Sequence, residues 1–408
     1  MKLSKNNKNS IAIIGSRGIP NNYGGFECFT EHISQRLVEK GYEVYVSCEH
    51  PDIDNPPKTF KDVNLYYFPL KHPSSNFLGM FYEIIYDVYS MIYASLYAEQ
   101  IYMLGYSAAP FFFIPKLFGK QFYLNPDGFE WKRNKFNGLL KIMLKINERL
   151  GSFWADQIVA DSEGIKEYYD EKYDLNCSYI AYGASEMPII NWNNDKLPEN
   201  IKDKFSTNPS YWLVVARLEP ENNIHKIIEG YIKSNTTKPL VVVGNFVSSS
   251  YENYINHIIK KMSDNKKIIF TDGIYNQEAL NMLRQNCHGY IHGHSVGGTN
   301  PSLLEAMAMN TIILAHDNQF NMEVCEDTAL YFENSENIKN IMNKIDSEPE
   351  NYIQLKSMAL KRVKKEYSWD KISKDYEELF DSPSINPHLK SPSITKFKTT
   401  IVSRSKSK

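Results

Sequence analysis

Tyr290-Ile291-His292-Gly293-His294-Ser295-Val296-Gly297-Gly298-Thr299-Asn300-Pro301-Ser302-Leu303-Leu304-Glu305-Ala306-Met307-Ala308 reads as a strand, a glycine-bearing loop and a helix in immediate succession. Asn300 is a favoured helix cap and Pro301 a favoured first-turn residue, so the helix begins at one of them. A strand that feeds a helix through a tight loop is the unit of a parallel α/β sheet, and such loops lie at the carboxyl edge, where open sheets bind ligands. The N–H groups of Gly298, Thr299 and Asn300 would face a pyrophosphate at the helix N-terminus, with His294 and Gly297 in the same loop. Glu305 stands more than a turn further on among Leu303, Leu304, Ala306 and Met307. That half-buried setting suits a carboxylate accepting from both hydroxyls of a ribose.

The same alternation extends in both directions. Strand-like runs at 212–216, 240–243, 268–270, 290–292 and 312–315, with helical stretches between them, predict a doubly wound domain over 210–365. A second series at 11–14, 43–47, 65–68, 101–104, 122–124, 157–160 and 179–181 predicts another over 1–185. Within it Phe26, Phe29, Ile33 and Leu37 recur at spacings of three and four, an amphipathic helix ended by Gly41. The stretch 186–209, rich in Asn, Pro, Asp and Lys, reads as a linker. Ser368 can cap a helix over 366–381 whose Trp369, Ile372, Tyr376, Leu379 and Phe380 share one face. From 382 to 408 the chain turns to Ser, Pro, Thr and Lys with no acid after Asp381, a disordered basic tail able to touch anionic lipid. The expected fold class is α/β, with two Rossmann-like domains.

Composition agrees with two ordinary cores, since 408 residues with 42% hydrophobic content exceed what one domain usually holds. A formal net charge of -2 lacks the basic field of a nucleic-acid binder. Five scattered cysteines without C-x-x-C spacing favour reduced thiols over a disulfide framework or a zinc site. The polar start, Met1 to Ser10, leaves no room for a secretory apolar region, so no signal peptide and a cytoplasmic location are expected. The most apolar region, 77–118, is broken by Glu83, Asp87, Glu99 and Lys116 and reads as a buried helix pair, with peripheral membrane contact left open.

Three further segments fall at carboxyl strand edges. Gly15-Ser16-Arg17-Gly18-Ile19-Pro20 with Tyr23-Gly24-Gly25 joins the first strand to the first helix. Its glycines allow backbone approach to an anion, but the spacing is neither the dinucleotide nor the P-loop pattern. Asp127-Gly128-Phe129-Glu130-Trp131-Lys132-Arg133 offers the carboxylates and the aromatic face that a sugar site uses. Arg217, in Val215-Ala216-Arg217-Leu218-Glu219-Pro220-Glu221-Asn222-Asn223, is placed to neutralise a diphosphate.

Over residues 10–380 these segments resemble retaining glycosyltransferase family four, which has the GT-B fold. The N-terminal motifs are similar to the rhamnosyltransferase subgroup of bacterial capsule, O-antigen and cell-wall polysaccharide synthesis. The resemblance implies a central cleft between the domains, with the donor on the C-terminal domain, the acceptor on the N-terminal one and the last helix crossing back. Asp127, Arg217 and Glu305 are then the candidate catalytic residues. Gly15, Arg17, Gly18, His294, Gly297, Gly298, Thr299 and Asn300 join Arg217 and Glu305 in binding the donor, and Tyr23, Gly24, Gly25, Glu130, Trp131, Lys132 and Arg133 bind the acceptor. Three positions depart from the family pattern: Gly297 stands where a first glutamate is usual, Asn222 where a lysine is, and Asp127 where a histidine is.

What the resemblance implies is a metal-independent, retaining hexosyltransferase without a cofactor, the nucleotide-sugar being a substrate. The expected donor is dTDP-rhamnose and the acceptor a saccharide, lipid-linked at the inner membrane face. A nucleotide-sugar epimerase of the same architecture and a noncatalytic sugar-nucleotide binder are the alternatives.

Overall fold

The computed structural model describes residues 9–21, 24–51, 53–73, 76–132, 138–206 and 209–382. The first domain runs β1 (Ser10–Ile14), α1 (Gly25–Glu39), β2 (Glu43–Cys48), β3 (Thr59–Phe60), β4 (Val63–Tyr67), α2 (Asn76–Tyr97), β5 (Gln100–Leu104), α3 (Ile114–Leu117), β6 (Gln121–Asn125), α4 (Gly138–Trp154), β7 (Gln157–Ala160), α5 (Glu163–Tyr173) and β8 (Ser178–Tyr179). The second continues with β9 (Trp212–Val215), α6 (Ile224–Lys233), β10 (Leu240–Val243), α7 (Ser249–Ile259), β11 (Ile268–Phe270), α8 (Gln277–Asn286), β12 (Gly289–His292), α9 (Pro301–Ala308), β13 (Ile313–His316), α10 (Gln319–Cys325), β14 (Leu330–Phe332), α11 (Ser335–Ser347) and α12 (Ile353–Glu366). A last helix, α13 (Trp369–Asp381), follows.

The first sheet has the order β3-β4-β2-β1-β5-β6-β7-β8 and the second β11-β10-β9-β12-β13-β14. Every pairing is parallel except β3 with β4. Chain order reverses direction between β1 and β5 and again between β9 and β12, which makes those two crevices the topological switch points of two Rossmann-like domains. The strands are apolar on both faces because helices cover both. In the first sheet Ile11 and Ile13 meet Phe29, Ile33 and Leu37 of α1, while Ala12 and Ile14 meet Met91 and Ala94 of α2. In the second, Val214 and Val242 meet Ile227 of α6 and Met342 of α11, and Leu213 and Val241 meet Leu283 of α8 and Leu303 of α9.

Short edge elements escaped the sequence pattern. Thr59–Phe60 is too brief to alternate, and pairs with β4 through Lys61 and Asp62, both at positive φ, as a two-residue hairpin turn requires. Leu330–Phe332 pairs only with β13. The expected strand at 101–104 is present as the central β5, and the region around it, expected as a buried helix pair, is one long helix, α2, before it and the short α3 after it. Ile101 and Met103 alternate with Tyr102 and Leu104, which fits a strand buried on both faces. The basic tail, 383–408, lies outside the described residues.

The connecting segment packs onto the second domain. The Gln285 side chain of α8 accepts from the Ile190 amide at 2.8 Å and donates to the Pro188 carbonyl at 2.9 Å. Trp192, Phe205 and Tyr211 form an aromatic group over buried Leu197 and Ile201. These apolar residues anchor a stretch whose composition is otherwise that of a loop.

The chain passes between domains a second time at Tyr367, beside the first passage. The Ala184 amide donates to the Tyr367 carbonyl at 2.8 Å, and a Cβ on Gly183 would fall 2.5 Å from the Trp369 ring. α13 then seals the open side of α1. Trp369 stacks on His32, the Tyr376 and Tyr102 hydroxyls share a hydrogen bond of 2.7 Å, and Phe380 meets Tyr42, Tyr102 and Tyr123. Phe380→Ala is expected to lower stability by about 3–5 kcal/mol, read as an earlier urea midpoint, because its pocket is built from rings of both α13 and the first sheet.

Candidate functional site

The two loops at the second domain's switch point are sewn together before they reach the cleft. The Ser295 amide and hydroxyl donate to the Glu221 carbonyl at 3.1 and 2.7 Å, and the Asn223 amide group donates to the Gly293 carbonyl at 2.8 Å. Asn222, standing where the resembled family has lysine, is buried and donates to the Arg217 carbonyl at 2.8 Å. It shapes the loop. Gly297 holds φ at +120°, a conformation that L side chains rarely adopt, and turns the chain into α9. The Asn300 side chain caps that helix by accepting from the Ser302 amide at 3.0 Å. The backbone N–H groups of Gly297, Gly298, Thr299 and Asn300 carry no partner among the described residues.

Glu305 is held from below by a residue that the sequence did not single out. Arg284 of α8, 1% exposed, places Nη2 2.5 Å from Glu305 Oε2 and donates through Nη1 to Asn281 at 3.1 Å. Glu305 itself is 23% exposed, and its Oε1 lies 4.0 Å from Cys28 Sγ on α1 of the other domain. Burial and the neighbouring Glu305 push the Cys28 thiol far above its usual range, so it stays protonated. The Gly25 Cβ position is 3.5 Å from the Pro301 ring. The N-terminal ends of α1 and α9 therefore face each other across the cleft.

The first domain contributes two carboxyl groups to the same place. Asp127 holds φ at +58° and its amide donates to the Asn125 side chain at 2.8 Å. The next residue, Gly128, would put a Cβ 2.7 Å from the Gly297 Cα, so the two loops touch backbone to backbone. Asp161, directly after β7, is 1% exposed, and its carbonyl accepts from the Thr299 hydroxyl. Its Oδ1 has no partner among the described residues and sits 1.8 Å from where a Gly298 Cβ would be. Burial, with Asp127 and Glu323 adding repulsion, raises the Asp161 carboxyl well above its ordinary value, which favours the neutral form. Glu323 of α10 accepts from the Glu163 amide at 2.7 Å, an anion from one domain on the helix N-terminus of the other.

Other expected residues stand in different company. Gly15 and Gly18 satisfy close packing inside the first domain, where added Cβ atoms would lie 2.3 Å from the Leu104 carbonyl and 2.5 Å from Cys48 Sγ. The Arg17 amide already donates to Glu27 at 2.8 Å, and its guanidinium is 3.8 Å from Glu49. Arg217 is 55% exposed at the end of β9, with Nη2 3.2 Å from Glu219. Trp131 donates through Nε1 to buried Glu148 at 2.9 Å, with the Lys145 ammonium 4.5 Å over its ring. Glu130 opens the same short turn. His294 stacks on buried His292 at 4.2 Å and lines a small cavity with Gly297, Gly298 and Asn300. Gly24 precedes α1 in extended backbone. Tyr23, Arg133 and the Lys132 side chain lie outside the described residues.

Asp161 was open to detection, since it follows the apolar run 157–160 at the same sheet edge as Asp127. Arg284 carries no such mark. It sits inside an ordinary helix twenty-one positions before Glu305, and only the fold joins them.

Residues 196–365 match the family model described as Glycosyl transferases group 1, and residues 8–185 match a domain of unknown function, DUF1972. Two Escherichia coli relatives described as serotype-specific mannosyltransferase WbdA are each 25% identical over 225 residues, 53% of this chain. The chain spans about a quarter of the length of these relatives, 27% and 26%. Among solved structures, sucrose-phosphate synthase from Thermosynechococcus elongatus aligns with a TM-score of 0.70 at 15% identity, covering 91% of this chain and 98% of that one. HepE from Anabaena in complex with UDP-glucose aligns at 0.67 and 14%, covering 91% and 99%. The fold is GT-B, and the match to the glycosyl transferases group 1 model lies in its second half.

Two measurements test the electrostatics of the site. Glu305→Ala strands the buried Arg284 cation and is expected to cost about 3–5 kcal/mol of stability, with Glu305→Gln costing less because an acceptor remains. Asp161→Asn is expected to stabilise at neutral pH. The raised folded-state pKa means that the unfolded chain alone ionises above the ordinary value of 3.8, so the native residue loses stability as pH rises. The advantage of the variant in melting temperature should therefore vanish below about pH 4 and grow above it. A variant equally destabilised at every pH would contradict a neutral Asp161.

Proposed function

We propose that the chain is a glycosyltransferase of bacterial polysaccharide synthesis, moving a sugar from a nucleoside-diphosphate donor on the second domain to a saccharide acceptor on the first. The observation that carries the reading is the pairing of unpartnered N–H groups at Gly297 to Asn300 with a glutamate fixed by Arg284 one helical turn beyond them. The diphosphate would rest on those amides and the dipole of α9. The ribose hydroxyls would donate to Glu305 Oε1, the oxygen that Arg284 leaves available. Arg217, more than half exposed and tethered among the described residues to Glu219, can swing to the phosphates from the other side.

In the transfer step the bond between C1 and the diphosphate oxygen breaks, its electron pair leaving with the diphosphate. The acceptor hydroxyl oxygen bonds C1, and its proton passes to the departing diphosphate. Donors aimed at that developing charge, the α9 amides and Arg217, stabilise the transition state more than the ground state. Attack from the leaving-group face gives a retained configuration. Asp127, which would meet the acceptor side, stands opposite Gly297 through the contact of its neighbour Gly128.

The donor of choice is dTDP-rhamnose, supported by the resemblance of the N-terminal motifs to rhamnosyltransferases, and the acceptor is a lipid-linked saccharide. Turnover is metal-independent in this reading, with protein groups meeting the phosphate charge. The enzyme would work in the cytoplasm at the inner membrane face.

A donor panel of dTDP-rhamnose, UDP-glucose and a nucleoside-diphosphate mannose, offered with and without lipid-linked oligosaccharide, tests the proposal. Acceptor-dependent release of nucleoside diphosphate is expected, reduced about ten- to hundredfold in kcat/KM by Glu305→Gln and about a hundredfold in kcat by Arg217→Ala. Conversion of the donor to an epimer without acceptor would establish an epimerase instead. Nucleotide binding without turnover on the full panel would establish a noncatalytic binder.

A further inference from the structure

The outer faces of three neighbouring helices in the first domain are apolar. On α4, Leu139, Ile142, Met143, Ile146 and Phe153 are each at least half exposed, Leu139 at 72%. Their spacing of three and four residues sets them in one stripe. On α2, Leu78, Phe81, Ile85, Ile92 and Leu96 form a second row, and Leu117 and Phe118 at the end of α3 stand between strands of the same half. The inner faces of all three helices pack on a single side of the sheet, through Met91 and Ala94 of α2, Ile114 of α3 and Leu144 of α4. Their outer rows therefore look the same way, and a contiguous apolar area of this extent marks an interaction surface.

Charge selects the partner. From Lys132 to Arg149 the sequence holds six basic residues and one acid, Glu148. That acid is buried, accepting from Trp131, Tyr168, Lys172 and Tyr173. The solvent side of α4 thus carries no acid: Lys141, Lys145 and Arg149, four residues apart, line one edge of the apolar stripe, with the Lys145 ammonium reaching over the Trp131 ring. A two-fold contact between copies through this helix would set those cations against their own likeness. An interface of anionic headgroups over acyl chains satisfies both components at once.

We infer that the outer face of α2, α3 and α4 is a docking surface for an anionic lipid bilayer, with α4 lying in the plane of the headgroups. No helix among the described residues is long and apolar enough to cross a membrane, so the contact is peripheral. Residues 68–75 join β4 to α2, and residues 126–137, with the Glu130–Lys132 turn among them, join β6 to α4. Docking stands on surface chemistry alone; only the use of that position to reach a lipid-borne acceptor rests on the proposed glycosyl transfer.

The test is flotation of the purified full-length chain with vesicles of phosphatidylglycerol and phosphatidylcholine, and of phosphatidylcholine alone. Binding to the mixed vesicles that weakens with salt is expected. Ile142→Glu with Ile146→Glu should lower the bound fraction about tenfold on a chain of unchanged melting temperature, and Lys145→Gln with Arg149→Gln should remove the preference for the anionic vesicle. Should the double glutamate variant misfold, Leu139→Glu at the most exposed position of the stripe replaces it. Equal binding to both vesicles, or binding that survives these substitutions because the basic segment after Asp381 supplies it, overturns the assignment. So does a lipid-free dimer that the glutamate variants convert to monomer. None of these readings depends on whether sugar transfer is observed.

Discussion

Helix N-termini converge on one narrow cleft, and the positive ends of their dipoles must be met by negative charge. α1, α5 and α9 all start at a carboxyl sheet edge facing it. In the first domain the charge is supplied from within: Glu27 takes the Arg17 amide and Glu31 takes the Asn21 amide ahead of α1. At α5 it comes from across the cleft, from Glu323. At α9 the Asp161 carboxyl, whose burial favours the neutral form, leaves its Oδ1 without a partner among the described residues. Of these three helix starts, the approaches to α1 and α5 are met by carboxylates of the protein itself, and α9 is the one the proposed function gives to a diphosphate.

The strands were legible because parallel strands covered on both faces must be continuously apolar, and runs such as Trp212–Val215 or Gln157–Ala160 are bounded by polar turns. α13 was legible from the single stripe of Trp369, Ile372, Tyr376 and Phe380. What escaped were features whose cause is tertiary. Phe60 becomes a strand only because β4 offers it an edge. The outward apolar row of α2 escaped as well, because a long apolar stretch does not say which of its faces the core covers. In the site, the glycine loop and Glu305 announced themselves by order along the chain, whereas Arg284 owes its role to a helix that packs beneath α9. Trp131 showed its aromatic surface in the sequence but not the buried carboxylate that claims its indole N–H.

The two halves also differ in what they share with known proteins. The second matches a broad glycosyl transferases model, the first a family of undefined role. On the proposed assignment of donor and acceptor, that division has a chemical reason. A diphosphate and a ribose demand the same amides and carboxylate whatever sugar is attached, while an acceptor surface changes with every acceptor. The exposed helices α2 and α4 belong to the first half.

The chain crosses between domains twice, and the crossings are fastened side by side where Ala184 meets Tyr367 and Gly183 lies under Trp369. Two passages bound at a single seam leave the domains one easy relative motion, a rotation about that seam, as covers turn about a spine. A twist of a few degrees there becomes a larger displacement at the far rim, where Gly128 rests on Gly297. The leverage makes the backbone contact of Gly128 with Gly297 sensitive to the crossing point, so that Gly183 helps to set the width of the cleft without touching anything in it.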